Sequence, residues 1–218
     1  MNLKSIQFVR YLAYKYREFR DSRSFTRGGK NNVIKRGFSV SSRIQIMGNG
    51  NTLVIDKGTA LKSVLIKITG NNNKVIISND CLLSGCELIV ENNNCCLEVG
   101  ASTFIGHHTQ LACTEDNSCL KVGSDCMLSA YIHVRTGDSH SILDTTTMKR
   151  INIAESVCIG DHCWIGEGAH ILKGVVLQDN IVVSTGAIVT KSFESNKLIG
   201  GVPAKLIKEN ITWDKDRL

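Results

Sequence analysis

From residue 53 onward the chain places apolar side chains at long, regular intervals, not at the 3.6-residue spacing of a helix or the two-residue spacing of a hairpin strand. Ile55, Ile77, Val99 and Val122 stand 22, 22 and 23 residues apart, and Leu53, Val75, Leu97 and Leu120 keep the same steps. Inside each period a step of six recurs, in Ile77, Leu83, Ile89, then Val99, Ile105, Leu111, then Val122, Leu128, Val134. The remainder is polar: GNGN at 48–51, GNNN at 70–73 and ENNN at 91–94. Asn and Gly tolerate left-handed backbone, so these stretches predict tight corners. The first coil is imperfect, with Lys67 between Ile66 and Ile68 where an apolar residue is due. Further on, the step of six returns without insertion at Ile153, Ile159, Ile165, Ile171, Leu177, Val183 and Val189. Four residues behind these anchors come the smaller partners Val157, Cys163, Ala169, Val175, Ile181 and Ala187.

The pattern predicts an all-β solenoid in which short strands turn three corners per coil and successive coils stack at ~4.8 Å. It is expected over residues 37–195, with a short closing segment at 196–218. Between Val134 and Ile153 the lattice calls for six residues and the chain supplies 19. The surplus predicts a protruding loop at 135–152, and loops that leave a rigid scaffold are where function concentrates.

Charge separates one part of the chain from the rest. Residues 1–36 carry ten Lys or Arg against Glu18 and Asp21, a balance of +8 within a total of +6, so the remainder is slightly acidic. Ile6, Val9, Leu12, Ala13, Tyr16 and Phe19 fall on one helical face, which predicts a basic N-terminal helical appendage. Two readings of it follow: packing on the body or on a neighbouring subunit, or peripheral contact of residues 1–30 with an anionic membrane surface. No nucleic-acid motif accompanies the charge. With neither a secretory signal nor a membrane-length apolar run, the expected location is the cytoplasm, at the inner face of the membrane on the second reading. Nine cysteines in a chain of 218 residues, without a C-x-x-C pair, predict reduced thiols in place of a disulfide framework and no metal site.

The loop holds Asp138, His140 and Asp144, with Arg135 at its root and Lys149 and Arg150 on its return. An imidazole titrates near neutrality and can take a hydroxyl proton while that oxygen attacks a carbonyl. His162 and His133 read first as surface or interface packing, with contact to the acceptor as the second reading for His162 beside Trp164, and His107, His108 and His170 receive no role.

GDHCWIGEGAHILKGVVL, GAIVTKS and GGVPAKLI, within residues 122–208, resemble the hexapeptide-repeat acyltransferases. That resemblance implies a left-handed parallel β-helix. RTGDSHSI followed by GDHCWIG is similar to the sugar O-acetyltransferases of capsule and lipopolysaccharide pathways, the polysialic acid O-acetyltransferases among them. It implies an acetyl-CoA-dependent enzyme in which His140 is general base and Trp164 helps to position the acetyl group. Asp138 would either orient His140 or form an Asx turn. Gly166, Glu167, Ala169, Ser184, Thr185 and Gly186 align with the cofactor groove, and Lys191 and Lys205 with its phosphate end. A saccharide or polysaccharide acceptor and a homotrimer with sites between subunits are implied as well. Where the galactoside and maltose branch has a Glu, this chain has Asn152, so either another group or a backbone carbonyl must orient the base. Two alternatives remain: N-acetylation of an amino sugar or antibiotic, and a non-catalytic β-helix scaffold. A zinc hydrolase on the same repeat would need three converging imidazoles, which His133, His140 and His162 do not reproduce by spacing.

Overall fold

The structure, a computed structural model, describes residues 25–35 and 38–218. Three sheets of eight, seven and nine strands run its length. They form the faces of a prism, and each strand pairs in parallel with its counterpart one coil away. The first face starts with Phe25–Arg27, the second with Val33–Lys35 and the third with Phe38–Val40. The final strand, Lys205–Glu209, turns back antiparallel on Lys197–Gly200 and ends the third face. The solenoid therefore begins inside the segment expected to be the appendage. The predicted helical stretch up to Phe19 lies outside the described residues.

Stacking puts like residues over like. Ile55, Ile77, Val99, Val122, Ile159 and Leu177 form one inward column, and Leu61, Leu83, Ile105, Leu128, Ile165 and Val183 another, all of them buried. Each such aliphatic side chain contributes about 1.5–3 kcal/mol by leaving water. Two expected anchors point elsewhere. Ile89 lies on the outer surface in register with Lys67, because Leu88 and Val90 on either side of it fill the core. The same alternation turns Lys67 outward, where it pairs with Glu91 at 3.0 Å. Ile153 is 65% exposed and belongs to the loop's return, the first inward residue after the loop being Val157. All six small partners, from Val157 to Ala187, are buried as the spacing requires.

The long early coils owe their extra length to one leg. From Leu111 on the first face to Val122 on the second is eleven residues, against six from Ile171 to Leu177. That leg contains the Asn-rich corner, which carries its own hydrogen-bond column. The buried Asn51 donates its amide to Gly70 O at 2.9 Å and accepts from Asn73 N at 2.9 Å; Asn73 donates to Asn92 O and accepts from Cys95 N, both at 2.8 Å. Outside it, the backbone N–H groups of the exposed Asn49 and Asn71 and the half-buried Asn93 donate to the side-chain oxygens of Asn71, Asn93 and Asp116 in turn. Gly48 and Gly70, at φ +119° and +114°, sit where a Cβ would come within 2 Å of the next coil's carbonyl oxygen, so these corners admit no side chain.

The nine cysteines are all free thiols. Cys81, Cys126 and Cys163 occupy the tight corner between the second and third faces, each thiol donating to a backbone carbonyl of the next coil. Burial pushes the Cys86 thiol up to about 12, which leaves it protonated and inert.

Asn73→Ala strands the Cys95 N–H and the Asn92 carbonyl inside the corner and should cost about 2–4 kcal/mol in denaturant unfolding. Asn71→Ala, one step outward where water can replace the amide, should cost less than about 1 kcal/mol.

Candidate active site

Among the described residues the prism is interrupted at a single corner. After His133–Arg135 on the first face the chain leaves the lattice and rejoins it at Val157–Ile159 on the second. The loop thus departs from the same edge as the Asn-rich corners of the earlier coils. At its root Thr136 is fully buried, its hydroxyl donating to Thr114 O at 2.9 Å and accepting from Thr114 N at 2.8 Å. At its tip Asp144 accepts from Thr146 N and Thr147 N and from the Thr147 hydroxyl.

Asn152 ties the two arms together. Only 6% exposed, it uses both ends of its amide: Oδ1 accepts from Ile142 N at 2.7 Å and Arg150 Nε at 3.1 Å, and Nδ2 donates to His140 O at 2.8 Å and Asp138 Oδ2 at 2.9 Å. Asp138 is anchored in turn by an ion pair to Lys173 of the next coil. Arg150 reaches down to the coil below and grips Glu115 with two bonds of 2.8 and 2.6 Å. The loop is held to the body from above and below, and the clasp terminates on the backbone of His140.

The His140 ring itself is exposed and receives no hydrogen bond from the described residues. No hydrogen bond joins it to Asp138, whose Oδ2 accepts from both Lys173 and Asn152. His140 opens onto a polar cavity of about 270 Å³ lined by Glu91, Thr114, Glu115, Ser139 and Arg150. A second hollow of about 230 Å³ shares Glu91, Thr114 and Ser139 and extends to Gln110 and Arg135 on the first face. Thr114 Oγ1 is the buried side-chain oxygen that lacks a partner among the described residues.

The expected cofactor residues gather at a different edge. Gly166, Glu167 and Ala169 stack under Ser184, Thr185 and Gly186 at the corner between the third and first faces, with Gly186 N donating to Glu167 O at 2.8 Å. A Cβ at Gly166 would lie 2.6 Å from Thr185 N, so coil stacking alone demands that glycine. Gly186, at φ +68°, faces open space. Ala169 turns its methyl into the core. Lys205 pairs with Gly200, which rests on the Ser184 side chain, and so closes the upper end of this corner. Lys191 does not join the group: it lies one corner farther round, its ammonium 5.5 Å from the Phe193 ring centre. Trp164, 38% exposed, projects from the third face between Met127 and Val182. That face lies across the prism from the edge that carries the loop, so His140 and Trp164 do not meet within one chain.

The remaining histidines pack. His162 is 2.7 Å from Asp125 and stacks on Trp213, His108 stacks on Tyr131, and His133 lies 4.9 Å from His170. Burial, followed by the neighbouring His170 and Arg135, lowers the His133 value and favours its neutral form. Among the described residues no group of three or more His, Cys, Asp or Glu could hold a metal ion, and no helix is long and apolar enough to cross a membrane. Spacing alone did not reveal Asn152, Glu115, Lys173 or Trp213 as parts of the site. The one signal was Asn152 itself, an amide where the related branch carries a carboxylate.

No family model matches the chain. It is 33% identical over 187 residues to a polysialic acid O-acetyltransferase of Neisseria meningitidis, spanning 84% of this chain and 85% of that one. A polysialic acid O-acetyltransferase of Escherichia coli O1:K1 / APEC is 33% identical over 118 residues, 52% of this chain and 38% of the relative's length. The crystal structure of the polysialic acid O-acetyltransferase OatWY superposes with a TM-score of 0.84 at 32% identity, covering 89% of this chain and 92% of that one. The fold is accordingly the left-handed parallel β-helix implied by the repeat motifs.

The clasp should respond to pH in one direction. Lys173, seconded by Asn152, holds the Asp138 carboxyl below the usual carboxylate range, and Arg150 does the same for Glu115. Depressed folded values mean that the clasp is fully formed above the ordinary value of about 4 and is lost as pH falls through the depressed values. Limited proteolysis within 136–156 should be slow and constant from about pH 5 to 8 and accelerate below about pH 4. Asn152→Ala should make the loop susceptible throughout, with faster hydrogen exchange at the Ile142 amide.

Proposed function

This chain belongs to the polysialic acid O-acetyltransferase family of hexapeptide-repeat acetyltransferases, and we propose that it moves an acetyl group from acetyl-CoA to a hydroxyl of a bacterial surface saccharide by direct attack, with His140 as general base. The observation that carries this reading is the clasp: an exposed imidazole, free of internal partners, on a loop pinned through its own carbonyl by Asn152. Pinning the backbone while leaving the ring open is what a base that must meet an incoming hydroxyl requires.

In the reaction His140 takes the acceptor's hydroxyl proton as that oxygen bonds to the thioester carbonyl carbon. Collapse breaks the carbon–sulfur bond, and the imidazolium returns its proton to the departing thiolate. No covalent acetyl-enzyme is needed. Trp164 lies on the third face beside the corner of small residues, where its ring can exclude water from the thioester, and the exposed backbone around Gly186 leaves room for an extended ligand. Lys205 closes the end of that corner and suits a phosphate; Lys191, held over Phe193 one corner away, fits that part less well. The saccharide acceptor fits the polar cavity under the loop, where hydroxyls would find Glu91, Ser139 and the unpartnered Thr114.

Two half-sites on opposite sides of one prism make no active site alone. We therefore infer a homotrimer in which one subunit's His140 faces its neighbour's Trp164 and groove. The loop supports this with exposed Ile142, Leu143, Met148, Ile151 and Ile153, each 44–67% accessible in the single chain, as expected of a surface that another subunit covers.

His140→Ala should abolish acceptor-dependent release of CoA thiol, a loss of at least ~10²–10⁴-fold, with the unfolding midpoint unchanged. Turnover that survives the substitution would remove His140 from the mechanism. Co-refolding equal amounts of His140→Ala and Trp164→Ala chains should restore about a quarter of the wild-type rate, the fraction of interfaces that pair an intact His140 with an intact Trp164 under cyclic symmetry. Restoration of nothing would place both residues in one chain's site.

A further inference from the structure

The end of the chain lies against Trp164 through contacts that the repeat does not demand. Residues 211–215 run back along the corner between the second and third faces and meet one left-handed corner residue per coil. Ile211 N donates to Asn196 O at 3.2 Å, and its carbonyl accepts from Asn180 Nδ2 at 2.8 Å. The Thr212 hydroxyl donates to Asn180 Oδ1 at 3.1 Å, Trp213 meets His162, and Lys215 pairs with Asp125. Asn196, Asn180, His162 and Asp125 hold φ between +52° and +62°. The strap thus descends the prism one coil at a time.

Trp213 is its most elaborate contact. The indole N–H donates to the His162 carbonyl at 2.8 Å, the Trp213 carbonyl lies 3.1 Å from His162 Nε2, and the two rings stack at 4.6 Å with 12° between planes. His162 Nδ1 is 2.7 Å from Asp125 Oδ2, so both ring nitrogens face acceptors. Although it stands near the chain's end, Trp213 is only 8% exposed. Its ring also meets Trp164, centre to centre at 6.0 Å and tilted by 48°. Closing the corner column needs the hydrogen bonds of Ile211 and Thr212 and the charge of Lys215, none of which calls for an indole.

We propose that Trp213 is a positioning residue: the strap at 211–215 fixes the orientation of the Trp164 ring that lines the acetyl-donor site. The inference rests on the assignment of Trp164 to that site. Trp164 stands more than a third exposed, and nothing among the described residues accepts a hydrogen bond from its ring nitrogen. Its neighbours in register, Met127 and Val182, support it along the sheet. Trp213 is the aromatic wall on its flank. An indole held by packing alone loses its preferred rotamer when that wall is removed.

The chain has only two tryptophans, so their geometry can be read directly as an exciton couplet in circular dichroism. With the full-length protein, Trp213→Ala should raise KM for acetyl-CoA about tenfold while kcat changes less than about threefold, and Trp213→Phe, which keeps the stack, should recover most of the loss. Asp125→Asn keeps both indoles but frees Lys215 and one side of His162; its couplet should weaken and its KM rise about two- to threefold together. Wild-type KM in Trp213→Ala, beside a raised KM in Trp164→Ala, would overturn the proposal and leave the donor site standing. Wild-type KM in Trp164→Ala would instead remove the donor-site assignment and the proposal with it. If Trp213→Ala does not fold, Asp125→Asn decides: a weakened couplet at unchanged KM overturns the positioning role.

Discussion

Among the described residues every strand but the last, Lys205–Glu209, finds its backbone partners one coil away, and that single requirement shapes the rest. Coils ~4.8 Å apart must repeat one another's corners closely, or hydrogen bonds are lost all along a face. Residue choice at the corners follows. Gly48 and Gly70 are glycines because the next carbonyl occupies the place of a Cβ. Asn51 and Asn73 are asparagines because a buried corner needs one side chain that both donates and accepts at the coil spacing. The cysteines at the opposite corner serve as small buried groups with a weak donor.

Such a lattice is a poor place for chemistry and a good foundation for it. Identical coils offer identical surfaces, so a distinct site must come from a break in the repeat. The break at residues 136–156 is fastened to the coils on both sides, by Asp138 to Lys173 and by Arg150 to Glu115, and Asn152 joins those anchors to the His140 backbone. A buried amide with every hydrogen-bonding position used specifies a single loop geometry, since any displacement leaves several polar groups unsatisfied at once. A fixed backbone beneath an open ring, which the proposed role of His140 as base calls for, comes from polar contacts in the loop and from stacking in the body.

A second break, at the end of the chain, works in the opposite sense. Where the loop leaves the prism, the strap returns to it and covers a column of left-handed corner residues that would otherwise face water. Its indole lies between His162 and Trp164. On the proposed reading the two irregular segments attend the two halves of the reaction, the loop the acceptor and the strap the donor, and a second copy of the chain would bring their edges of the prism together.

The sequence by itself determined the solenoid, its three-cornered coil and the place of the loop, and His140 and Trp164 stand out in it only through a family motif, on which the proposed chemistry rests. These are one-dimensional properties, since a stacked repeat writes its own period into the chain. It misplaced Ile89 and Ile153, because an apolar residue at the right interval can face either way until the strand's register is known; Leu88 and Val90 take the core that Ile89 would have filled. It began the solenoid at residue 37, because the charge of the first 36 residues masked the two short strands from Phe25 to Lys35. Tertiary structure alone decided that Asp138 bonds Lys173 and Asn152, that Asn152 is the hub of the loop, that Lys191 and Lys205 part company, and that Trp213 reaches Trp164. The physical reason is common to all four. Each depends on contacts between residues 10 to 51 positions apart or on which corner a residue turns, and distance along the chain carries no record of either.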